Sequence, residues 1–100
     1  GLDAQTFFDI SSKASGQCWS MTTYCPAPGP VPASPANNDY EPGFTVAMML
    51  KDLRLAQDAA ASASANIEFG NQAERFYAQL DEKGLTSKDF SVVMRHIKDG

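Results

Sequence analysis

The sequence predicts an all-α domain with four principal helices and one short helical turn. Three observations carry this. Apolar residues recur at Val46, Met49, Leu50, Leu53, Ala56 and Ala60, the i, i+3, i+4, i+7 spacing of a core-facing helix stripe. No segment alternates apolar and polar residues as a half-buried strand does. Helix start and stop signals bracket the other apolar runs: Asp3 before the first, Ser87 before the last, Gly84 behind the one between. At 100 residues the chain reads as one small domain, 1–100. With 43% hydrophobic and 20% charged residues it can bury a modest core.

Asp3 is placed to cap a first helix reaching about Ala14. Ala4, Phe7, Phe8 and Ile10 form its apolar side and Gly16 its stop. Gln17 to Tyr24 is a short segment of one or two helical turns, and it carries the only tryptophan, Trp19. Cys25 to Gly43 differs in kind, because it holds all six prolines together with Gly29, Asn37 and Asn38. Proline at this density removes backbone donors and forbids a regular helix. An irregular loop this long in a compact domain is usually functional or disordered. Tyr40 and Phe44 at its end suggest a loop pinned to the fold; a plain surface linker is the alternative reading.

The long helix follows, from Thr45 to about Ala63. Met48, Leu55 and Ala59 form a second apolar line, and at about 100° per residue Lys51, Arg54, Gln57 and Asp58 share one narrow polar arc. Such a helix is expected to be mostly surrounded by protein. That places Asp52, between Met48, Leu55, Ala56 and Ala59, as a carboxylate in need of a partner. The small residues Ala59 to Ala65 read as a packing seam, and Asn66 to Gly70 as a break. The next helix spans Asn71 to Lys83, with Ala73, Phe76, Tyr77 and Leu80 on one face and Gly84 at C′. Ser87 is the expected cap of the last helix, with Lys88 and Asp89 in its first turn and Phe90, Val93, Met94 and Ile97 as its stripe. Phe7, Phe8, Phe69, Phe76 and Phe90, at helical spacings, are expected in the core. Few helices are available to cover the long one, so the domain is expected to self-associate or to leave an apolar patch exposed.

Several function classes are disfavoured. A net charge of −4 argues against a general nucleic-acid surface. The longest run of large apolar residues, Val46 to Leu50, is far short of the roughly 20 needed to span a membrane. Gly1 to Ala4 shows no basic segment of a signal peptide. Two cysteines, Cys18 and Cys25, and one histidine, His96, cannot close a zinc site, and free thiols are the expectation. There is no Gly-x-Gly-x-x-Gly, P-loop or Gly-x-Ser-x-Gly motif. His96 has no nucleophile partner and reads as a surface histidine favoured by a helix C-terminus.

Two features rise above this background. Lys51 sits mid-helix among apolar residues, where it either presents its ammonium to an anionic ligand or snorkels to solvent. Trp19 and Tyr24 flank the proline loop, as walls of a pocket or as packing. No nucleophile or general base is evident, so a helical interaction module without chemistry is one reading of the residues.

Gly43–Phe44, followed by Lys51–Asp52–Leu53 and Leu55–Ala56, resembles the C-terminal domain of the β-hydroxyacid dehydrogenases, a helical domain like that of 6-phosphogluconate dehydrogenase-like enzymes. Ser15 to Ser20, Thr23 to Gly29 and the loop to Asp39–Tyr40 are similar to the 3-hydroxyisobutyrate dehydrogenases within that family. Gly84–Leu85 and Lys88–Asp89–Phe90–Ser91 also fit. Relatives of the tartronate semialdehyde reductase type share the Lys-Asp-Leu helix but have a shorter connection. The resemblance covers nearly the whole chain.

It implies an N-terminal Rossmann domain and an interdomain helix with the catalytic lysine, both outside this chain. The chain would then hold no catalytic residue, bind no metal and be inactive alone. NAD is the implied cofactor, met by Lys51 with Asp52 beside it. Trp19, Tyr24 and Phe44 are implied to line the substrate side. The implied reaction is reversible oxidation of 3-hydroxyisobutyrate to methylmalonate semialdehyde, a step in valine breakdown; a sister activity on a tartronate- or serine-type 3-hydroxy acid is the alternative. A dimer or tetramer is implied, in the bacterial cytoplasm or, in a eukaryote, the mitochondrial matrix. Arg54 departs from the resemblance, where a small residue such as glycine is expected.

Overall fold

A computed structural model describes residues 1–99. Helix α1 spans Ala4–Ser11. The Asp3 carboxylate caps it, accepting from the Thr6 backbone N–H at 2.9 Å and the Thr6 hydroxyl at 2.7 Å. The helix stops short of Ala14 because Lys13 and Ala14 donate to Ile10 and Ser11, tightening the end into 3₁₀-type turns. Helix α2 is a single turn, Trp19–Thr22.

The proline loop is folded on itself. A 3₁₀ turn forms at Pro35–Asn38, opened by a proline whose fixed φ suits the first position. The Asn37 side chain accepts from the Gly29 N–H and donates to the Val31 carbonyl, both at 2.8 Å. Asp39 and Tyr40 then adopt φ of +49° and +56°, a left-handed pair that side chains disfavour. The surroundings hold this pair in place. Lys88 and Arg95 reach the Asp39 carboxylate at 2.9 and 2.6 Å. The Tyr40 ring is buried, its hydroxyl donates to the Pro26 carbonyl at 2.7 Å, and the Arg95 guanidinium lies 4.7 Å from its centroid. The loop is pinned, as Tyr40 and Phe44 suggested.

Helix α3 spans Val46–Ala63, with the Thr45 hydroxyl accepting from the Met48 N–H. Ser64, at φ +54°, ends it, and Ala65 N–H closes back on the Ala60 carbonyl. Helix α4 spans Glu68–Glu82 and lies antiparallel to α3, cross-linked by Arg54 to Glu74 at 3.2 Å. The break is therefore at 64–67, and Glu68, Phe69 and Gly70 are helical. Ile67 folds over Gly70, where a Cβ would stand 3.4 Å from the Ile67 Cδ1. Gly84, at φ +82°, closes α4 with the paired hydrogen bonds of a Schellman turn, Gly84 to Asp81 and Leu85 to Leu80.

Residues 86–90 then run against the start of α3. Val46 N–H donates to Lys88, Ala47 to Thr86, and Phe90 to Phe44. Ser87 accordingly does not cap the last helix, and Lys88 and Asp89 are not in its first turn. Asp89 is the cap, leading through a 3₁₀ turn, Phe90–Val92, into helix α5, Val93–Asp99. The all-α expectation holds; the described residues form four principal helices and one single-turn helix, with two 3₁₀ turns beyond those expected.

The core gathers Ala36, Tyr40, Val46, Leu50, Tyr77, Leu80 and Val92, with Leu53, Phe90 and Val93 packed against it. It is one helical hairpin deep, and this corrects three expectations. Within this chain α3 is not surrounded: only Val46 and Leu50 are buried, while Met48 and Leu55 are exposed. Asp52 is exposed and has no side-chain partner among the described residues. Phe7, Phe69 and Phe76 lie outside the core, Phe69 being 91% exposed, because each helix turns a single face inward. The expected exposed apolar surface is present.

Candidate active-site wall

The centre of the candidate site is Asp89, a fully buried carboxylate with five donors. Its Oδ1 accepts from the Tyr24 hydroxyl at 2.6 Å, the Gly43 N–H at 2.9 Å and the Phe44 N–H at 3.1 Å. Its Oδ2 accepts from the Ser91 N–H at 3.0 Å and from the Ser91 hydroxyl. Burial pushes the Asp89 carboxyl up, but the hydrogen bonds from Ser91, Tyr24 and the Phe44 backbone outweigh it and leave the pKa below its ordinary value. Burial, then the hydrogen bond to Asp89 and its charge, push the Tyr24 phenol up to about 12.

Around this anchor the aromatic rings form a wall. Trp19 stacks on Tyr24 at 5.0 Å and Tyr24 on Phe90 at 5.4 Å, while Phe44 meets Phe90 edge-on at 5.9 Å. Helix α2 supplies Trp19, the segment behind it Tyr24, the loop end Phe44, and the 3₁₀ turn before α5 Phe90. Trp19 is 57% exposed and presents the outer end of the stack to solvent. Gly43 is required where it sits, since a Cβ there would lie 2.8 Å from the Tyr24 hydroxyl.

Lys51 occupies a different surface. It is exposed and forms no ion pair among the described residues. By the helix rise it lies about 9 Å beyond the cap of α3. It lines an open groove of about 350 Å³ with Ala47, Arg54, Leu55, Asp58 and Asp81. None of the wall residues lines that groove. Arg54, the departure from the resemblance, is held toward α4 by Glu74.

Trp19, Tyr24 and Phe44 are thus brought together, although 25 positions separate the outer two. Lys51 and Asp52 share helix α3, and neither has a hydrogen bond or ion pair that ties it to the wall among the described residues. Sequence reasoning missed three contributors: Asp89, Phe90 and Gly43. The signal for Asp89 was local but weak, a carboxylate two residues before Ser91 at a helix start.

A cleft of about 280 Å³ lies beside the wall. Its lining includes Phe7, Phe8, Cys18, Met21, Cys25 and Met94. Both cysteines are free, Cys18 exposed and Cys25 buried. Among the described residues no group of His, Cys, Asp and Glu side chains is placed to hold a metal. His96 is half-buried against Phe76, with its Nδ1 3.1 Å from the Lys83 ammonium.

A family model described as the NAD-binding domain of NADP-dependent 3-hydroxyisobutyrate dehydrogenase matches residues 1–97. The chain belongs to this family. That description ties the family to a nicotinamide dinucleotide. A probable 3-hydroxyisobutyrate dehydrogenase of Mycobacterium tuberculosis H37Rv is 48% identical over 100 residues, 98% of this chain and 33% of the relative. The mitochondrial 3-hydroxyisobutyrate dehydrogenase of Drosophila melanogaster is 45% identical over 93 residues, 93% of this chain and 29% of the relative. A solved Mycobacterium tuberculosis 3-hydroxyisobutyrate dehydrogenase, with L-serine, superposes with a TM-score of 0.92 at 47% identity, covering 97% of this chain and 33% of that one. The chain spans about a third of the length of the curated relatives it matches. No helix among the described residues is long and apolar enough to cross a membrane.

Proposed function

We propose that the chain serves as the C-terminal helical part of a nicotinamide-dependent 3-hydroxyisobutyrate dehydrogenase, closing one side of a cleft whose dinucleotide-binding domain lies outside these 100 residues. The observation that carries this reading is the wall: three stacked aromatics with Phe44 edge-on, clamped through Tyr24 and Phe44 on a buried carboxylate and open at Trp19, in a chain that matches the family along its length. Trp19, Tyr24 and Phe44 face the hydroxy acid, shield it from water and pack its apolar side. Lys51 reaches the cofactor with its unpaired ammonium, and the exposed Asp52 carboxylate beside it is open to a hydroxyl donor. These two groups suit one edge of a dinucleotide; the described residues contain no glycine-rich phosphate turn, so the rest of the cofactor is held elsewhere. A nicotinamide cofactor held beside Lys51 would supply the hydride acceptor for oxidation of the alcohol. None of the described residues stands as a base at the wall, and proton transfer is assigned to a group outside them.

The exposed apolar residues of α1, α3 and α4 fit association of the whole enzyme as a homo-oligomer. The bacterial cytoplasm is the favoured location, with the mitochondrial matrix its counterpart in a eukaryote, in keeping with bacterial and mitochondrial relatives. The relative solved with L-serine favours testing 3-hydroxy amino acids as a second substrate class. The test is cofactor-dependent turnover of 3-hydroxyisobutyrate, L-serine and tartronate by the full-length enzyme. The highest kcat/KM is expected for 3-hydroxyisobutyrate; a preference for serine or tartronate would transfer the assignment to a sister activity. Lys51→Ala in the same enzyme is expected to weaken cofactor binding by about ten- to a hundredfold, the size of a charge-assisted hydrogen bond. An unchanged cofactor Kd would remove Lys51 from the site.

A further inference from the structure

We propose that Asp89 is the positioning residue of the substrate wall and that Phe90 completes the wall; this deepens the reading above and rests on it. A helix cap needs one acceptor, and Oδ2 of Asp89 already meets that need through Ser91. The three donors on Oδ1 do not belong to the helix that Asp89 caps. They are the Tyr24 hydroxyl, the Gly43 N–H and the Phe44 N–H. Two of the three residues placed against the substrate are therefore fixed to a single oxygen atom from 65 and 45 positions away in sequence.

The backbone repeats the arrangement. Asp89 N–H donates to the Tyr40 carbonyl and Phe90 N–H to the Phe44 carbonyl, so the loop end is tied to the same two residues from both sides. The Phe90 ring then fills the space between the two clamped aromatics, 5.4 Å from Tyr24 and 5.9 Å from Phe44. Full burial leaves Asp89 unable to touch substrate itself. Its effect passes through the spacing of Tyr24 and Phe44.

The two oxygens separate positioning from capping. Tyr24→Phe keeps the ring and removes one donor from Oδ1. Ser91→Ala removes one donor from Oδ2 and leaves the wall alone. Both variants are tested in the full-length enzyme. Tyr24→Phe is expected to raise KM for 3-hydroxyisobutyrate about tenfold, with the cofactor Kd unchanged. It is also expected to alter the near-ultraviolet circular dichroism relative to the wild-type enzyme, because Trp19 stacks on Tyr24. Ser91→Ala is expected to lower the unfolding midpoint and leave KM at the wild-type value.

Equal KM changes in the Tyr24 and Ser91 variants, or none in either, would overturn the positioning role; so would a raised KM in Tyr24→Phe with the aromatic circular dichroism unchanged. Absence of wild-type turnover on every 3-hydroxy acid would overturn the underlying reading instead.

Discussion

The corner around Asp89 and the outer face of the α3–α4 hairpin are built from opposite materials and behave in opposite ways. The corner is mostly irregular chain, with six prolines close by and two residues in left-handed conformation. Yet it holds the buried charge, the Tyr40 anchor, the Asp39 ion pairs and the aromatic stack. The hairpin is regular helix, and its outer face leaves Met48, Leu55, Phe69 and Phe76 in solvent. Its one cross-link between side-chain charges is Arg54 to Glu74. Regular secondary structure satisfies its own backbone and needs few side-chain bonds. Irregular chain must have its polar groups met from elsewhere, and the groups that meet them fix the wall.

Substitutions at the corner are therefore expected to cost more than substitutions on the hairpin face. The largest loss is expected from Asp89→Ala, which strands five donors around an emptied site. It should destabilise the chain by about 3 kcal/mol or more, read from urea unfolding. A loss below about 1 kcal/mol, the scale of a single cap, would show that the five hydrogen bonds do not act together. Gly43→Ala comes next, at about 1–3 kcal/mol, because the new methyl overlaps a tyrosine hydroxyl that stacking and Asp89 hold in place. An unchanged unfolding midpoint would mean that Tyr24 swings aside freely. The smallest effect is expected on the hairpin. Leu55→Gln should alter the folding stability of the monomeric chain by no more than about 0.5 kcal/mol. A larger loss would place that face in contact with something this chain supplies.

The same contrast appears in pH dependence. Burial first, then the Asp89 charge, raises Tyr77 to about 12, as burial and Asp89 do for Tyr24. Burial also raises Tyr40 against the opposing charge of Arg95. A phenol whose folded pKa is raised stabilises fully below its unfolded value of 10.0 and loses that contribution as the pH rises through about 12. All three tyrosines are thus expected to ionise above their ordinary value in the folded chain, followed by tyrosinate absorbance. One tyrosine titrating at 10.0 would show a wall or core less closed than described. On the acid side the signs reverse. Arg95 and then Lys88 hold Asp39 at about 2, and Asp89 is lowered as well. Their contributions are present above the ordinary carboxylate value of 3.8 and are lost as the pH falls through the lowered one.

The helices were legible because their signals are local. The stripe from Val46 to Ala60, the Thr45 hydroxyl and the Gly84 stop act within a few residues of where they stand, and α3 starts and ends within a residue of expectation. What surrounds a helix is not local. The second apolar line through Met48 and Leu55 suggested enclosure, and nothing among the described residues supplies it. Asp52 was misjudged for the same reason. Ser87 looked like a cap because residues 86–90 carry no local sign that they bind the backbone of 44–47. The site was half legible. Trp19, Tyr24 and Phe44 stand out by type and by resemblance, but the carboxylate that assembles them finds its partners 45 to 65 positions away. The resemblance through Lys88–Asp89–Phe90–Ser91 touched that residue without indicating its role.

The wall is proposed to face the hydroxy acid, and Trp19→Ala in the full-length enzyme tests that placement most directly. Trp19 is more than half exposed, so its loss costs the fold little. The expected result is a KM for 3-hydroxyisobutyrate raised by about tenfold or more, the size of a lost aromatic contact surface, with an unchanged cofactor Kd. A wild-type KM in that variant would show that the wall looks away from the substrate and would contradict the account.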